Sequence, residues 1–279
     1  MRRKIKQDLI LLGLMAVILC PLLLLGLWTV VARWPYPNLW PTAFSLRGLK
    51  QLHTQWGQVA PVLGQSFLLS LGVGLLSLVI SLLNARFYVQ TTAWGRRWLA
   101  MIMFLPMLIP ATVFGMGIHT PFLRLGLANT IPGVLLVHLL YSLPYANFLV
   151  CEAYQNIGLG LEEEAQTLGA SPFQAFRLVT LPLLAPVLLT AMVMAYIVSF
   201  SQYFLTLLIG GGVVRTYALI MYPYLQANDR TIASVFSLVF LLFTCLVFAL
   251  GRFLVRWYQR HLFQKLALTE RSEHIESSY

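Results

Sequence analysis

Two sets of polar side chains interrupt an otherwise apolar chain. His138, Tyr141, Ser142 and Tyr145 fall at i, i+3, i+4 and i+7, and Tyr196, Ser199, Gln202, Tyr203 and Thr206 keep a similar spacing, so each set is expected on one face of a helix. Their groups are neutral hydrogen-bond donors and acceptors. They suit weak solute contact along a water-filled path, for which His138, Tyr141, Tyr145, Ser199, Gln202 and Tyr203 are the candidate lining residues. The competing reading is helix–helix bonding worth about 0.6 kcal/mol per bond, and His138 alone reads as a satisfied core histidine sooner than as a ligand or proton carrier. A third group is the acidic run Glu162-Glu163-Glu164, followed by Gly169, Ser171, Pro172 and Gln174. No catalytic constellation is evident among these sets. G-x-x-x-x-G-K-[ST], H-E-x-x-H and G-x-S-x-G are all absent from the sequence, so the reading is of a chain that is not an enzyme and binds no cofactor or metal of its own. Cys20, Cys151 and Cys245 lie in apolar stretches without metal or disulfide spacing and read as small core residues.

The elements that position these groups follow from composition. Of 279 residues, 59% are hydrophobic and 10% charged, too apolar for a single water-solvated core. Six stretches of about 20 apolar residues can cross a bilayer as helices. They lie near Leu9–Ala32, Val62–Asn84, Trp98–Ile118, Ile131–Cys151, Leu183–Leu205 and Ile232–Leu250, and none contains Asp, Glu, Lys or Arg. Met1-Arg-Arg-Lys leads into an apolar run too long for a signal peptide, so the first helix reads as an anchor. With the N-terminus inside, thirteen of the nineteen basic residues fall on the cytoplasmic side, which places both termini in the cytoplasm. The net charge of +10 is thereby explained by membrane orientation and lipid headgroups, with Arg252, Arg256 and Arg260 as a snorkelling stripe, and not by nucleic acid. Trp34, Pro35, Tyr36, Pro37, Trp40 and Pro41 suit a membrane interface on the outer side. Pro106, Pro110, Gly115 and Gly117 predict a bend in the third span, and Ser66, Ser70 and Gly74 a close-packing face on the second. Residues 1–260 read as one membrane domain with a cytoplasmic loop at about 153–182, and residues 261–279 as a short polar tail.

The loop between the fourth and fifth spans has the local signals of helix, turn, helix. Glu162–Glu164 favour a first helical turn, Gly169 a left-handed C′ position, and Ser171, Pro172 and Gln174 the N-cap, N1 and N3 of a capping box. An elbow with both arms capped is rigid and fit to be gripped by another protein. A helical hairpin lying on the membrane surface is disfavoured, because anionic headgroups would repel the three glutamates.

The same residues resemble the transmembrane permease subunits of binding-protein-dependent ATP-binding-cassette importers, whose loop reads E-A-A, three residues, G, nine residues, I-x-L-P. Glu163-Glu164-Ala165 precedes Gly169 at that interval, and Val179-Thr180-Leu181-Pro182 closes the pattern, with Glu164 in place of the first Ala and Val179 in place of Ile. The resemblance implies an all-α, six-helix bundle of the type I importer permease kind in the bacterial inner membrane. It implies that Glu163, Glu164, Ala165, Gly169, Ala170, Ser171, Pro172 and Pro182 form the coupling loop, with Glu163 meeting a basic group on the ATPase. It further implies two ATPase subunits holding ATP and Mg, a second permease that is either identical or similar, and an external solute-binding protein. Members with this layout carry polyamines, thiamine, ferric iron, sulfate, phosphonates or sugars, so the solute stays open at this point. The alternative is a secondary transporter or channel half without an ATPase, which would need coupling-ion sites that these carboxylate-free spans do not supply.

Overall fold

A computed structural model describes the backbone of residues 2–276 and the side chains of residue 8 and residues 11–260. The chain runs α1 (Arg2–Trp28), a ribbon of β1 (Val31–Arg33) and β2 (Ala43–Phe44), α2 (Arg47–Gln90), α3 (Ala93–Leu108), α4 (Ala111–Arg124), α5 (Ile131–Ile157) and α6 (Gly160–Thr167). It continues through α7 (Pro172–Ala175), a π-turn (Phe176–Thr180), α8 (Leu181–Phe200), α9 (Phe204–Gly210), α10 (Tyr217–Gln226) and α11 (Arg230–Glu276). Among the described residues, five helical runs are long and apolar enough to cross a membrane: in α1, α2, α5, Pro172–Phe200 and α11. The α3–α4 pair, bent by 103°, is a broken span or a re-entrant loop, and makes a sixth if the two helices count as one span.

The all-α class holds, but several boundaries move. The second span is the later part of a 44-residue helix whose first turns carry Lys50, Gln51, His53 and Gln55, polar enough to escape a hydropathy reading, with Lys and Gln good helix formers. The third span is two helices, broken where Ile109 is extended (ψ 127°) ahead of Pro110, as the residue before a proline prefers. The fifth ends at Phe200 instead of Leu205. The last helix continues to Glu276, so most of the expected polar tail is helical; residues 277–279, and the side chains of residues 261–276, lie outside what is described. Cys151 is buried, but Cys20 and Cys245 are exposed, because in lipid a small apolar side chain has no reason to seek the core.

Two compact units are distinguished among the described residues, 2–64 with 217–244, and 65–216 with 245–276. In the first, Arg47 donates to both carboxylate oxygens of Asp229 at 2.8 and 2.9 Å, while Asp229 Oδ1 accepts from the Ile232 N–H at 3.3 Å and so caps α11. Tyr217 donates to the Phe236 carbonyl at 2.6 Å, and Thr231 to that of Val31 at 2.6 Å. Trp28 stacks on Trp34, with the Arg230 guanidinium 5.2 Å from the Trp28 ring centroid. Tyr36 and Trp40 stand exposed beyond them.

The second unit is organised around α5 and α8. Near the elbow, Ala146, Val150, Tyr154, Leu184, Leu188 and Ala191 form one buried cluster; Phe122, Val134, Val137, Leu205 and Ile209 form another. Ser66 and Ser70 on α2 are buried, and a Cβ added at Gly74 would stand 3.0 Å from the Met192 carbonyl oxygen of α8, so small residues do let these backbones approach. Gly74→Leu is expected to push α2 from α8 at about 1–3 kcal/mol, seen as earlier thermal aggregation in detergent, with Gly74→Ala in between. A Gly74→Leu protein that aggregates at the wild-type temperature would mean the two helices do not meet there.

Candidate functional site

The elbow is built by local bonds that the residue types dictate. Gly169 has φ +97°, and around it the Gly169 N–H bonds to Gln166 O and the Ala170 N–H to Ala165 O, both at 3.0 Å, the paired bonds of a Schellman ending. Ser171 is then an extended N-cap, its N–H donating to Gln174 Oε1 at 2.8 Å while its Oγ accepts from the Gln174 N–H at 3.3 Å. The last carbonyls of the first arm and the first amides of the second are thus largely satisfied at the bend itself. The second arm is not a separate short helix: α7 passes through the π-turn directly into α8. Pro182 is the cause, since it has no N–H for the Leu178 carbonyl four residues back; the ladder slips, and the Leu181 N–H bonds to Phe176 O instead. Pro182 is buried, and its carbonyl accepts from Gln259 of α11 at 3.3 Å.

Of the expected coupling residues, Glu163, Glu164, Gly169, Ser171 and Pro172 are exposed, while Ala165 and Ala170 are half-buried. No side-chain bond or ion pair within the described residues engages Glu163. Beside the bend, Leu168 is 89% and Phe173 68% exposed, large apolar side chains at the tip of a polar elbow.

Glu162 stands apart, and sequence reasoning missed it. It is 3% exposed; its Oε1 accepts from Tyr154 at 2.9 Å and Thr180 at 2.6 Å, and its Oε2 lies 3.3 Å from Arg86 Nη2. The Arg86 guanidinium also sits 5.1 Å from the Phe176 ring centroid. The sequence signal available was slight: Glu162, Glu163 and Glu164 spread over about 200° of a helix of 3.6 residues per turn, so a helix packed on a broad face turns one of them inward.

The two polar stripes divide. His138 and Ser199 are buried: His138 Nδ1 lies 3.0 Å from Ser199 Oγ and Nε2 3.0 Å from Thr206 Oγ1, and Ser199 Oγ lies 3.1 Å from Ser70 Oγ. Tyr141, Tyr145, Gln202 and Tyr203 are half-buried, Tyr141 packing near Phe114. Gln202 and Tyr203 do not share the helix of Ser199, because α8 has ended and α9 has not begun; the Gln202 carbonyl accepts from Thr206 Oγ1 at 2.7 Å across that break. Periodicity was carried through a break that no Pro or Gly announces. A further polar pair, Asn84 on α2 bonded to Asn147 on α5 with Cys151 beside them, lies outside both stripes. Two amides on apolar helices were its only signal in the sequence.

A family model described as "binding-protein-dependent transport system inner membrane component" matches residues 77–267, more than half of the chain and the whole of the elbow. The inner membrane ABC transporter permease protein YnjC of Escherichia coli (strain K12) is 30% identical over 188 residues, 67% of this chain and 36% of that protein. The trehalose transport system permease protein SugB of Mycobacterium tuberculosis (strain CDC 1551 / Oshkosh) is 30% identical over 163 residues, 57% of this chain and 58% of that one. The match therefore spans between a third and three fifths of the length of these relatives. In overall fold the chain is similar to one in the crystal structure of a bacterial alginate ABC transporter in complex with alginate pentasaccharide-bound periplasmic protein, with a TM-score of 0.63 at 14% identity over 92% of this chain and 97% of that chain.

Proposed function

We propose, from the premise that this chain belongs to the family of binding-protein-dependent transport system inner membrane components, that it is the permease subunit of an ATP-driven solute importer. It forms the path with a second permease, receives solute from an external binding protein, and is moved by ATPase subunits that carry ATP and Mg and grip the elbow. The observation that carries this reading is the elbow itself. It is capped at both arms, it presents the unpartnered Glu163 beside exposed Leu168 and Phe173, and its second arm continues into α8. A push on the elbow reaches a membrane-crossing helix without an intervening loop, which is the geometry that converts closure of a docked ATPase into helix tilt. Half-buried Tyr141, Tyr145, Gln202 and Tyr203 supply neutral contacts to the path, in spans without carboxylates, which suits a neutral or anionic solute better than a strongly cationic one.

Membrane placement follows the basic residues: both termini and the elbow lie in the cytoplasm, and residues 33–60 face outward. The test is made on the chain co-expressed with an ATP-binding-cassette ATPase. Thr167→Cys should crosslink to that subunit, and solute uptake should stop when ATP hydrolysis is blocked. A thiol reagent applied from outside should label Ala43→Cys and Gln226→Cys and spare Ser171→Cys. Uptake that persists without hydrolysis would favour a secondary transporter, and labelling of position 171 alone would invert the orientation.

A further inference from the structure

The elbow meets the bundle at two junctions. Gly158, with φ +69° and open space where a Cβ would stand, joins α5 to α6, and the π-turn joins α7 to α8. Caps stiffen each arm but do not orient the elbow on the bundle. The group that does so is the Glu162 carboxylate, which collects a hydroxyl from α5 (Tyr154), a hydroxyl from the π-turn (Thr180) and a guanidinium from α2 (Arg86). Arg86 touches both arms at once, Glu162 on the first and Phe176 on the second.

We propose that Glu162 is a positioning residue, a latch that ties the elbow to α2, α5 and the start of α8 so that they move as one body. Burying the Glu162 carboxylate, even against an Arg86 that is one third exposed, is a poor source of stability, since taking a charge from water offsets much of what the pairing gains. What it supplies is direction: three donors from three elements fix one orientation of a carboxylate that accepts only. Glu163 and Glu164, one and two residues on, face away and are free for a partner. The consequence for transport rests on the reading of the elbow as the ATPase contact; the latch itself is a property of the chain.

The closing experiment places nitroxide labels at Gln90→Cys and Thr167→Cys, both exposed, in the full-length permease in nanodiscs, with Cys20 and Cys245 replaced by serine. The starting protein should give one narrow distance distribution. Glu162→Gln and Arg86→Met should each widen it at least twofold, and the double variant should be no wider than the wider single, because both remove the same contact. Tyr154→Phe and Thr180→Val keep the ion pair and should fall between; if Glu162→Gln does not insert, these two decide. Unchanged widths overturn the latch. In the complex with the ATPase, Glu162→Gln should lower solute moved per ATP about tenfold while the amount of ATPase co-purified stays constant. Loss of the ATPase together with a narrow distribution would instead make Glu162 part of the docking surface. Should the unaltered chain bind no ATPase, the permease reading fails, and the distances still judge the latch.

Discussion

Gly169→Val is expected to leave the chain inserted and its ATPase bound while reducing binding-protein-stimulated ATP hydrolysis to the basal rate. No atom lies within 4 Å of a Cβ built at this position, so the whole effect comes from the backbone. At φ +97° a side chain costs on the order of 1–2 kcal/mol, and a β-branched one is the worst fit. The relaxed bend would also strain the Gly169 and Ala170 amide bonds to Gln166 and Ala165, each worth about 1 kcal/mol net. Two to three kcal/mol, roughly a hundredfold in an equilibrium, suffices to replace one elbow by an ensemble without touching the buried cores. Asn, which tolerates the left-handed region best after Gly, should retain more stimulation than Ala, and Ala more than Val. Glu163→Lys should produce the same uncoupling by another route, reversing an exposed charge that has no partner within the described residues. Full stimulation in both Gly169→Val and Glu163→Lys would remove the elbow from the mechanism.

What could be read from the sequence is what local chemistry decides. Lipid as solvent demands long apolar helices, so the spans stand out, and cap residues act on their own neighbours, so Gly169, Ser171, Pro172 and Gln174 specified the bend without any knowledge of the bundle. The features that escaped depend on residues distant in the chain. Glu162 is set apart from Glu163 by Arg86, 76 residues earlier, and by Thr180, 18 residues later. The proline pair gave the bend in the third span but not its size. Pro182 was visible as the close of a motif, yet its physical effect, a π-turn that fuses elbow and span, required the ladder to be traced bond by bond. The end of α8 at Phe200 had no local signal, so the second polar stripe was carried past the helix that supports it.

That break is where the last prediction falls. His138 joins α5 to Ser199 near the end of α8 and to Thr206 in α9, and Ser199 reaches Ser70 on α2, so one imidazole ties together the elements on both sides of residues 201–203. Thr206 gives its proton to the Gln202 carbonyl, which leaves its lone pairs for an Nε2–H, and Ser199 gives its own proton to Ser70. A ring bonded at both nitrogens and buried fits a fastener, whereas Tyr145, Gln202 and Tyr203, the proposed solute contacts, are half-buried. His138→Leu should therefore cost about 1–3 kcal/mol, lowering the aggregation temperature by several degrees, with transport per folded molecule little changed. Gln202→Leu and Tyr203→Phe should do the reverse, altering transport with basal ATP hydrolysis and stability near normal. Cysteines at 145 and 203 should react with a water-soluble thiol reagent in the nucleotide-free or the nucleotide-trapped state, and cysteines at 138 and 199 in neither. Reaction at 138 and 199 with protection at 145 and 203 would exchange the two roles, placing the path along the His138 network and making the tyrosines the fasteners.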